Sequence, residues 1–234
     1  MGGSLAPGFH VSLHPGRVRR ETEDWAVGEL RGGRLACALC DGMGGMRHGD
    51  RASRQAAEAF MSLCLHDERS LLAAWPPSLR RVQLELAGSL GRLQAELHER
   101  RVATTFTGLA LSGLGGRLYH VGDSRAYLVR GGSFQQLSTD HHVSQDHPQL
   151  LSKALGAPRH DRMEAVDLQL EPGDRLLLCS DGFSQAGLGR VELEVLQHSS
   201  VSDEDMPGLM MEEALVRGAE DNLSLVWICP EERA

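Results

Sequence analysis

Aromatic residues make up only 4% of the 234-residue chain, with 3 Trp, 2 Tyr and 5 Phe, so the core has to be aliphatic. Lysine is nearly missing: Lys153 is the only one, and the other basic side chains are arginines. Codon bias in a GC-rich genome produces such an excess by itself, so only a specifically placed arginine carries meaning. Five cysteines, Cys37, Cys40, Cys64, Cys179 and Cys229, are too few and too scattered for a disulfide framework. Cys37 and Cys40 form a C-x-x-C motif, but no second pair accompanies it and it lies in the strand-like run LACALC, which argues against zinc or redox chemistry. No apolar run approaches 18 residues, and no basic segment followed by an apolar stretch stands near the start. A cytoplasmic protein without a membrane partner is therefore expected.

What is present is ordinary for a globular chain: 41% hydrophobic and 24% charged residues, enough for one sizeable core. The net charge of −8, from 32 acids against 24 bases, disfavours nucleic acid as a partner. Residues 1–9 are rich in Gly, Pro and Ser and read as a flexible N-terminus; residues 10–234 read as a single domain. Strands are expected over 10–14, 23–29 and 34–40, followed by a Gly-rich turn and a helix over 50–66. A second helix is expected over 78–100, where Val82, Leu86, Leu90, Leu93 and Leu97 share one face. Runs at 103–112, 116–122, 124–130 and 134–137 read as an antiparallel meander. Further strands are expected near 163–170, 174–180 and 223–229, with helical patches at 190–197 and 206–216. Two consecutive long helices among so many strands point to an α+β architecture with helices packed on antiparallel sheets.

Four aspartates share one context. Asp41 (LACALCDGMGG), Asp123 (LYHVGDSRAYLV), Asp181 (RLLLCSDGF) and Asp221 (GAEDNLSLVWI) each end or follow an apolar strand and precede a turn residue. Any one of them is explained as a turn former. Four at strand ends form a set that, if it converges, repels itself unless a cation is present, and carboxylates without His or Cys partners suit Mg²⁺ or Mn²⁺. Glu23 and Asp24 open a strand shortly after Arg19, adding carboxylates for a two-metal centre and a guanidinium fork for a phosphate.

The ordered motifs R-x-x-x-E-D, D-G-M-G-G-x-x-x-G, T-T, G-D-S-R-A-Y-L, D-H, L-L-L-C-S-D-G and D-N-L-S resemble the metal-dependent protein serine/threonine phosphatase family, type 2C, in its short bacterial form. The resemblance runs from about Val11 to Ile228. It implies a four-layer α/β/β/α sandwich and a two-metal site that activates water to hydrolyse phosphoserine or phosphothreonine. Carried over residue by residue, Asp41 resembles the bridging ligand and the Gly42 carbonyl a ligand of the second metal, with Glu23 near it. Asp181 and Asp221 resemble ligands of the first. Asp24 resembles an acid acting through water, and Asp123 resembles a partner of Asp181 for a third, weaker ion. Arg19 resembles the phosphate-gripping arginine. The implied cofactors are two Mn²⁺ or Mg²⁺ per site, and the implied partners are phosphorylated proteins and a cognate Ser/Thr kinase met by a monomer.

Departures from the family pattern are Thr22 for Asn, Met43 where many eukaryotic members carry His, Ala103 for Gly before the Thr pair, and a shortened stretch between His141 and Leu155, which suggests an open, permissive cleft. The histidines of DHHVSQDH are too irregularly spaced for a transition-metal site. Two other readings compete: a catalytically weak member that binds phosphoproteins as a regulatory module, and a calcium-binding protein, although no D-x-D-x-D-G loop occurs.

Overall fold

The computed structural model describes residues 5–43, 48–66, 74–144, 146–157, 162–186 and 201–232. Its frame is two five-stranded antiparallel sheets packed face to face. One holds β1 (Leu5–His14), β12 (Leu223–Glu232), β11 (Arg175–Cys179), β6 (Arg125–Arg130) and β7 (Ser133–Gln136), in that order. The other holds β10 (Glu164–Gln169), β5 (Gly115–Val121), β4 (Phe106–Ser112), β3 (Arg34–Asp41) and β2 (Asp24–Arg31). A small hairpin of β8 (His142–Ser144) and β9 (His147–Leu151) stands apart from both.

Strand alternation sorts the apolar residues into layers. In β3, Leu35, Cys37 and Leu39 enter the layer between the sheets, whereas Ala36, Ala38 and Cys40 face outward to the helices. Cys37 and Cys40 thus sit on opposite faces of one strand and share no site. In β12 and β11, Val226, Ile228, Leu176 and Leu178 fill the same middle layer, and Leu225, Trp227, Leu177 and Cys179 face the opposite helical layer. The buried residues of the middle layer are Leu, Ile, Val, Ala and Cys, as the low aromatic content requires. The fully buried aromatics lie outside it: Phe60 packs edge-on against Phe106 and Tyr119 at 5.2 and 5.6 Å.

On the β3 side, α1 (Gly49–Met61), extended by a π-helical turn over Ser62–His66, and α2 (Leu79–Leu97) form the outer layer. The small face Ala52, Ala56 and Ala57 of α1 lets that helix sit close to the equally small Ala36 and Ala38. Ser78 caps α2 through its Oγ, which accepts from the Arg81 amide, and Val82, Leu86, Leu90 and Leu93 form its buried face. On the other side, α3 (Asp181–Gln185) and α4 (Met206–Val216) cover β11 and β12, with Met206, Met210, Met211 and Ala214 buried. The result is the four-layer α+β sandwich.

Two expectations are corrected. The run 103–137 is not one meander: β4 pairs with β5 and β6 with β7, but β5 and β6 belong to different sheets. The chain crosses between them at Gly122–Ser124. Gly122 has φ 113, and a Cβ there would meet Thr105 Cβ at 2.6 Å, so the turn is both strained for other residues and tightly seated. Residues 5–9 are not a flexible tail; they belong to β1 and pair with residues 228–232 of β12. Backbone ladder bonds need no apolar side chain, and Pro7 is tolerated because β1 is an edge strand. The polar stretch after Asp140 folds into the β8–β9 hairpin. The helical patch expected at 190–197 lies outside the described residues.

Gly122→Ala should cost about 2 kcal/mol through its backbone conformation alone. Urea unfolding checks this, and a loss below about 0.5 kcal/mol would show that the crossover can relax around a side chain.

Candidate functional site

The expected acids meet where the two sheets' edges open. Arg19, Glu23, Asp41, Gly42, Asp123, Asp181 and Asp221 line one cleft of about 310 Å³, together with Met43, Thr105, Leu151, Gln185 and Asn222. Each arrives from a different element. Asp41 ends β3, Asp123 occupies the crossover, Asp181 begins α3, Asp221 precedes β12, and Arg19 and Glu23 come from the β1–β2 connection. Asp24 does not line the cleft. It opens β2 opposite Asp41 and is 2% exposed, beneath the cleft floor.

Backbone contacts fix these segments. The Asp41 amide donates to Thr105 Oγ1 (2.9 Å), and the Asp41 carbonyl accepts from Thr104 Oγ1 (2.8 Å) and from the Thr105 amide (2.9 Å). The Glu23 carbonyl accepts from the Gly42 amide (3.1 Å) and from Ser53 Oγ (2.6 Å). A Cβ on Gly42 would lie 2.4 Å from the Gly49 carbonyl carbon and 2.8 Å from Glu23 O, so only glycine allows the three chains to meet.

Asn222 is a site residue that sequence reasoning did not single out. Its Nδ2 donates to the carbonyls of Pro15 and Glu21, both at 3.1 Å, and its Oδ1 accepts from the Glu23 amide at 2.8 Å. One buried side chain therefore staples the segment carrying Arg19 and Glu23 to the start of β12. The only sequence signal was the Asn after Asp221 in D-N-L-S. Thr104 and Thr105 appeared there as a motif, without the part they play in holding Asp41.

Crowding acids raises their affinity for protons. Burial, then the charges of Asp24, Asp181 and Asp123, raise Asp41 well above the usual carboxylate range. Burial also raises Asp181 and Glu23. It pushes Asp123 to about 7, with the Asp181 charge adding to it, and Asp24 to about 6. The neighbouring Asp181 carboxyl raises Asp41 further while Asp41 lowers Asp181 in return, so of the two Asp41 has the greater affinity for a proton. Neither Asp24 oxygen makes a hydrogen bond; the hydroxyls of Ser180 and Ser224 lie close enough to offset part of its desolvation but not in bonding geometry. Arg19 is the cation at the rim, donating through a guanidinium NH₂ to Asp221 Oδ2 at 3.0 Å.

The donor set fits hard divalent cations: several carboxylates raised by burial and by one another's charge, orphaned Asp24 oxygens, and close backbone at Gly42. Among the described residues no three His, Cys, Asp or Glu side chains already close around one point. The side chains are engaged with one another instead, Asp221 Oδ2 by Arg19 and Asp181 Oδ2 by Gln185 Nε2 at 2.6 Å. Both partners are exposed and can swing away.

The protein phosphatase 2C family model matches residues 21–215. The serine/threonine protein phosphatase PstP of Mycobacterium tuberculosis is 31% identical over 230 residues, covering 90% of this chain and 42% of that protein. The chain thus spans less than half the length of that relative. The serine/threonine phosphatase stp of Listeria welshimeri is 26% identical over 232 residues, covering 91% of this chain and 92% of that one. The crystal structure of the Mycobacterium tuberculosis phosphatase PstP/Ppp superposes with a TM-score of 0.80 at 27% identity, covering 97% of this chain and all of that one.

Acids with raised folded pKa values stabilise the fold fully below their unfolded value of about 4, and that contribution is lost as pH rises through the folded values. With Asp24 near 6 and Asp123 near 7, the protein in EDTA should lose thermal stability between pH 5 and pH 7.5, and Mn²⁺ should restore it at pH 7.5. A melting temperature in EDTA that is flat or rises over that range would contradict this. Asn222→Ala strands two carbonyls and an amide, and should cost about 2–4 kcal/mol in urea unfolding. A loss under 1 kcal/mol would mean that water takes over the staple.

Proposed function

This chain belongs to the protein phosphatase 2C family, and on that premise we propose that it is a metal-dependent protein serine/threonine phosphatase that hydrolyses phosphoserine and phosphothreonine. The single observation that carries the reading is the convergence of Glu23, Asp41, Asp123, Asp181 and Asp221 with Arg19 in one cleft.

Asp41 would serve both of two divalent cations, Mn²⁺ or Mg²⁺, with Asp181 and Asp221 holding the first and Glu23 and the Gly42 carbonyl the second. Asp123 with Asp181 would hold a third, weaker ion, and Asp24 would support Asp41 from below and act through water. When bound, the cations make water a stronger nucleophile near neutral pH and offset the charge of the phosphate. Arg19, at the rim, takes the phosphate oxygens as a bidentate fork and orients phosphorus toward the cleft floor. Among the described residues lining the cleft there is no Ser, Cys or His, and Thr105 Oγ1 is occupied by the Asp41 amide and by Ser124 Oγ at 2.7 Å. Direct attack by water, without a phosphoenzyme, is the route these residues support. Met43 lines the cleft but supplies no proton to the leaving oxygen.

Its partners on this reading are phosphorylated proteins and the kinase that modifies them, met by a monomer in the cytoplasm. Among the described residues no helix is long and apolar enough to cross a membrane.

The test is hydrolysis of p-nitrophenyl phosphate and a phosphothreonine peptide with Mn²⁺ or Mg²⁺. Asp181→Ala and Asp221→Ala should each lower kcat on the order of a hundredfold or more, whereas Arg19→Ala should raise KM on the order of tenfold with kcat little changed. No turnover by the wild type with either ion would overturn the enzyme reading and leave the phosphoprotein-binding module. An unchanged KM in the Arg19 variant would remove the phosphate clamp.

A further inference from the structure

The turn Gly122-Asp123-Ser124-Arg125 carries one of the cleft acids across the gap between sheets, where no strand ladder holds it. The adjacent pair Asp140 and His141, outside the cleft, grips that turn at both ends. At the first end, the His141 amide donates to the Gly122 carbonyl (2.9 Å), and the Gly122 amide donates to His141 Nδ1 (3.1 Å). At the other end, Arg125 Nε and one guanidinium NH₂ donate to Asp140, with distances of 3.0 and 2.6 Å to its Oδ2. Gln136 Nε2 donates to Asp140 Oδ1 at 2.9 Å.

The bonding fixes the imidazole's tautomer. Because Nδ1 accepts from Gly122, the proton sits on Nε2, which donates to Glu164 Oε1 at 3.0 Å. Lys153 Nζ, 3.2 Å from Nε2, therefore has no acceptor there and donates to the same Glu164 oxygen at 2.8 Å. His141 is 5% exposed and stacks on His120 of β5 with ring centroids 5.2 Å apart. The chain runs directly from His141 into β8, and the Ser152 amide, just past β9, donates to the His141 carbonyl at 2.7 Å. One residue thus holds the crossover turn, both ends of the hairpin and the edge strand β10. Leu151 of that hairpin lines the cleft.

We propose that Asp140 and His141 form a clasp, with His141 as the positioning residue that sets Asp123 and the β8–β9 hairpin in register with each other over the cleft. The role of Asp123 rests on the phosphatase reading; the clasp itself does not. Because one residue serves both segments, the turn through its imidazole and amide and the hairpin through its carbonyl, displacing the hairpin disturbs Asp123, and loosening the turn releases the hairpin.

Two near-isosteric variants separate positioning from packing. His141→Asn keeps an acceptor close to the Nδ1 position and loses the reach to Glu164; His141→Gln keeps a donor close to the Nε2 position and loses the Gly122 bond. Amide hydrogen exchange of Gly122, followed by NMR on the whole chain, should speed up on the order of tenfold in the Gln variant and stay within about threefold of wild type in the Asn variant. Turnover of the phosphothreonine peptide should follow the same order, with kcat falling on the order of tenfold in the Gln variant. Asp140→Asn, which keeps size and loses charge, should speed exchange at Asp123 and Ser124. Equal exchange in wild type and the Gln variant, equal losses in both His141 variants, or an Asp140→Asn protein unchanged at Asp123 and Ser124 would each overturn the clasp. If the wild type hydrolyses nothing, the phosphatase reading fails while the exchange data still decide the clasp.

Discussion

Like charges have to be kept together in this fold. Asp41, Asp123, Asp181 and Glu23 come from separate elements into one small cleft, with Asp24 buried beneath, and left alone they would push the surrounding backbone apart. The opposing force is supplied by main-chain hydrogen bonds beneath and beside the cleft, not by the acids themselves. Thr104 and Thr105 hold Asp41, Ser53 and Gly42 hold Glu23, and Asn222 holds the whole segment from Pro15 to Glu23. These partners are short, polar and buried, so each bond has few alternatives and little entropy left to lose.

That rigidity depends on the sandwich. Strands with Leu, Cys and Val on one face and Ala or Cys on the other meet an aliphatic middle layer and closely packed helices at once. A chain with few aromatics reaches this by matching small helix faces to small strand faces, as Ala52, Ala56 and Ala57 do against Ala36 and Ala38. Strand ends then emerge at fixed heights, and an acid placed one residue beyond an apolar run is delivered to the cleft rim.

This is why so much of the site was legible. An apolar run followed by Asp and a turn residue is a local pattern, and it marked Asp41, Asp123 and Asp181 without any knowledge of the partner strands; Asp221 was grouped with them, although it follows α4 and precedes β12. Long-range pairing left no such trace. The run 103–137 has the turns of a meander, and nothing local says that the third strand joins the other sheet; that choice is made by Gly122 seated on Thr105. Residues 5–9 look like a tail because a backbone ladder with β12 leaves no mark in a run rich in Gly and Pro. Asn222 and His141 were illegible as anchors for the same reason, since their partners lie 201 and 19 residues away for the Glu21 and Gly122 bonds.

The ion pair between Arg19 and Asp221 has a thermodynamic consequence. It is exposed, so breaking it costs only about 1 kcal/mol or less, but each member is held from free use by the other. An anion that draws Arg19 away uncovers a carboxylate oxygen, and a cation that draws Asp221 away frees a guanidinium. The first ligand to arrive bears the whole cost of rupture and the second bears none. By reciprocity the two affinities rise together, so the rim of the cleft couples opposite charges across an otherwise passive contact.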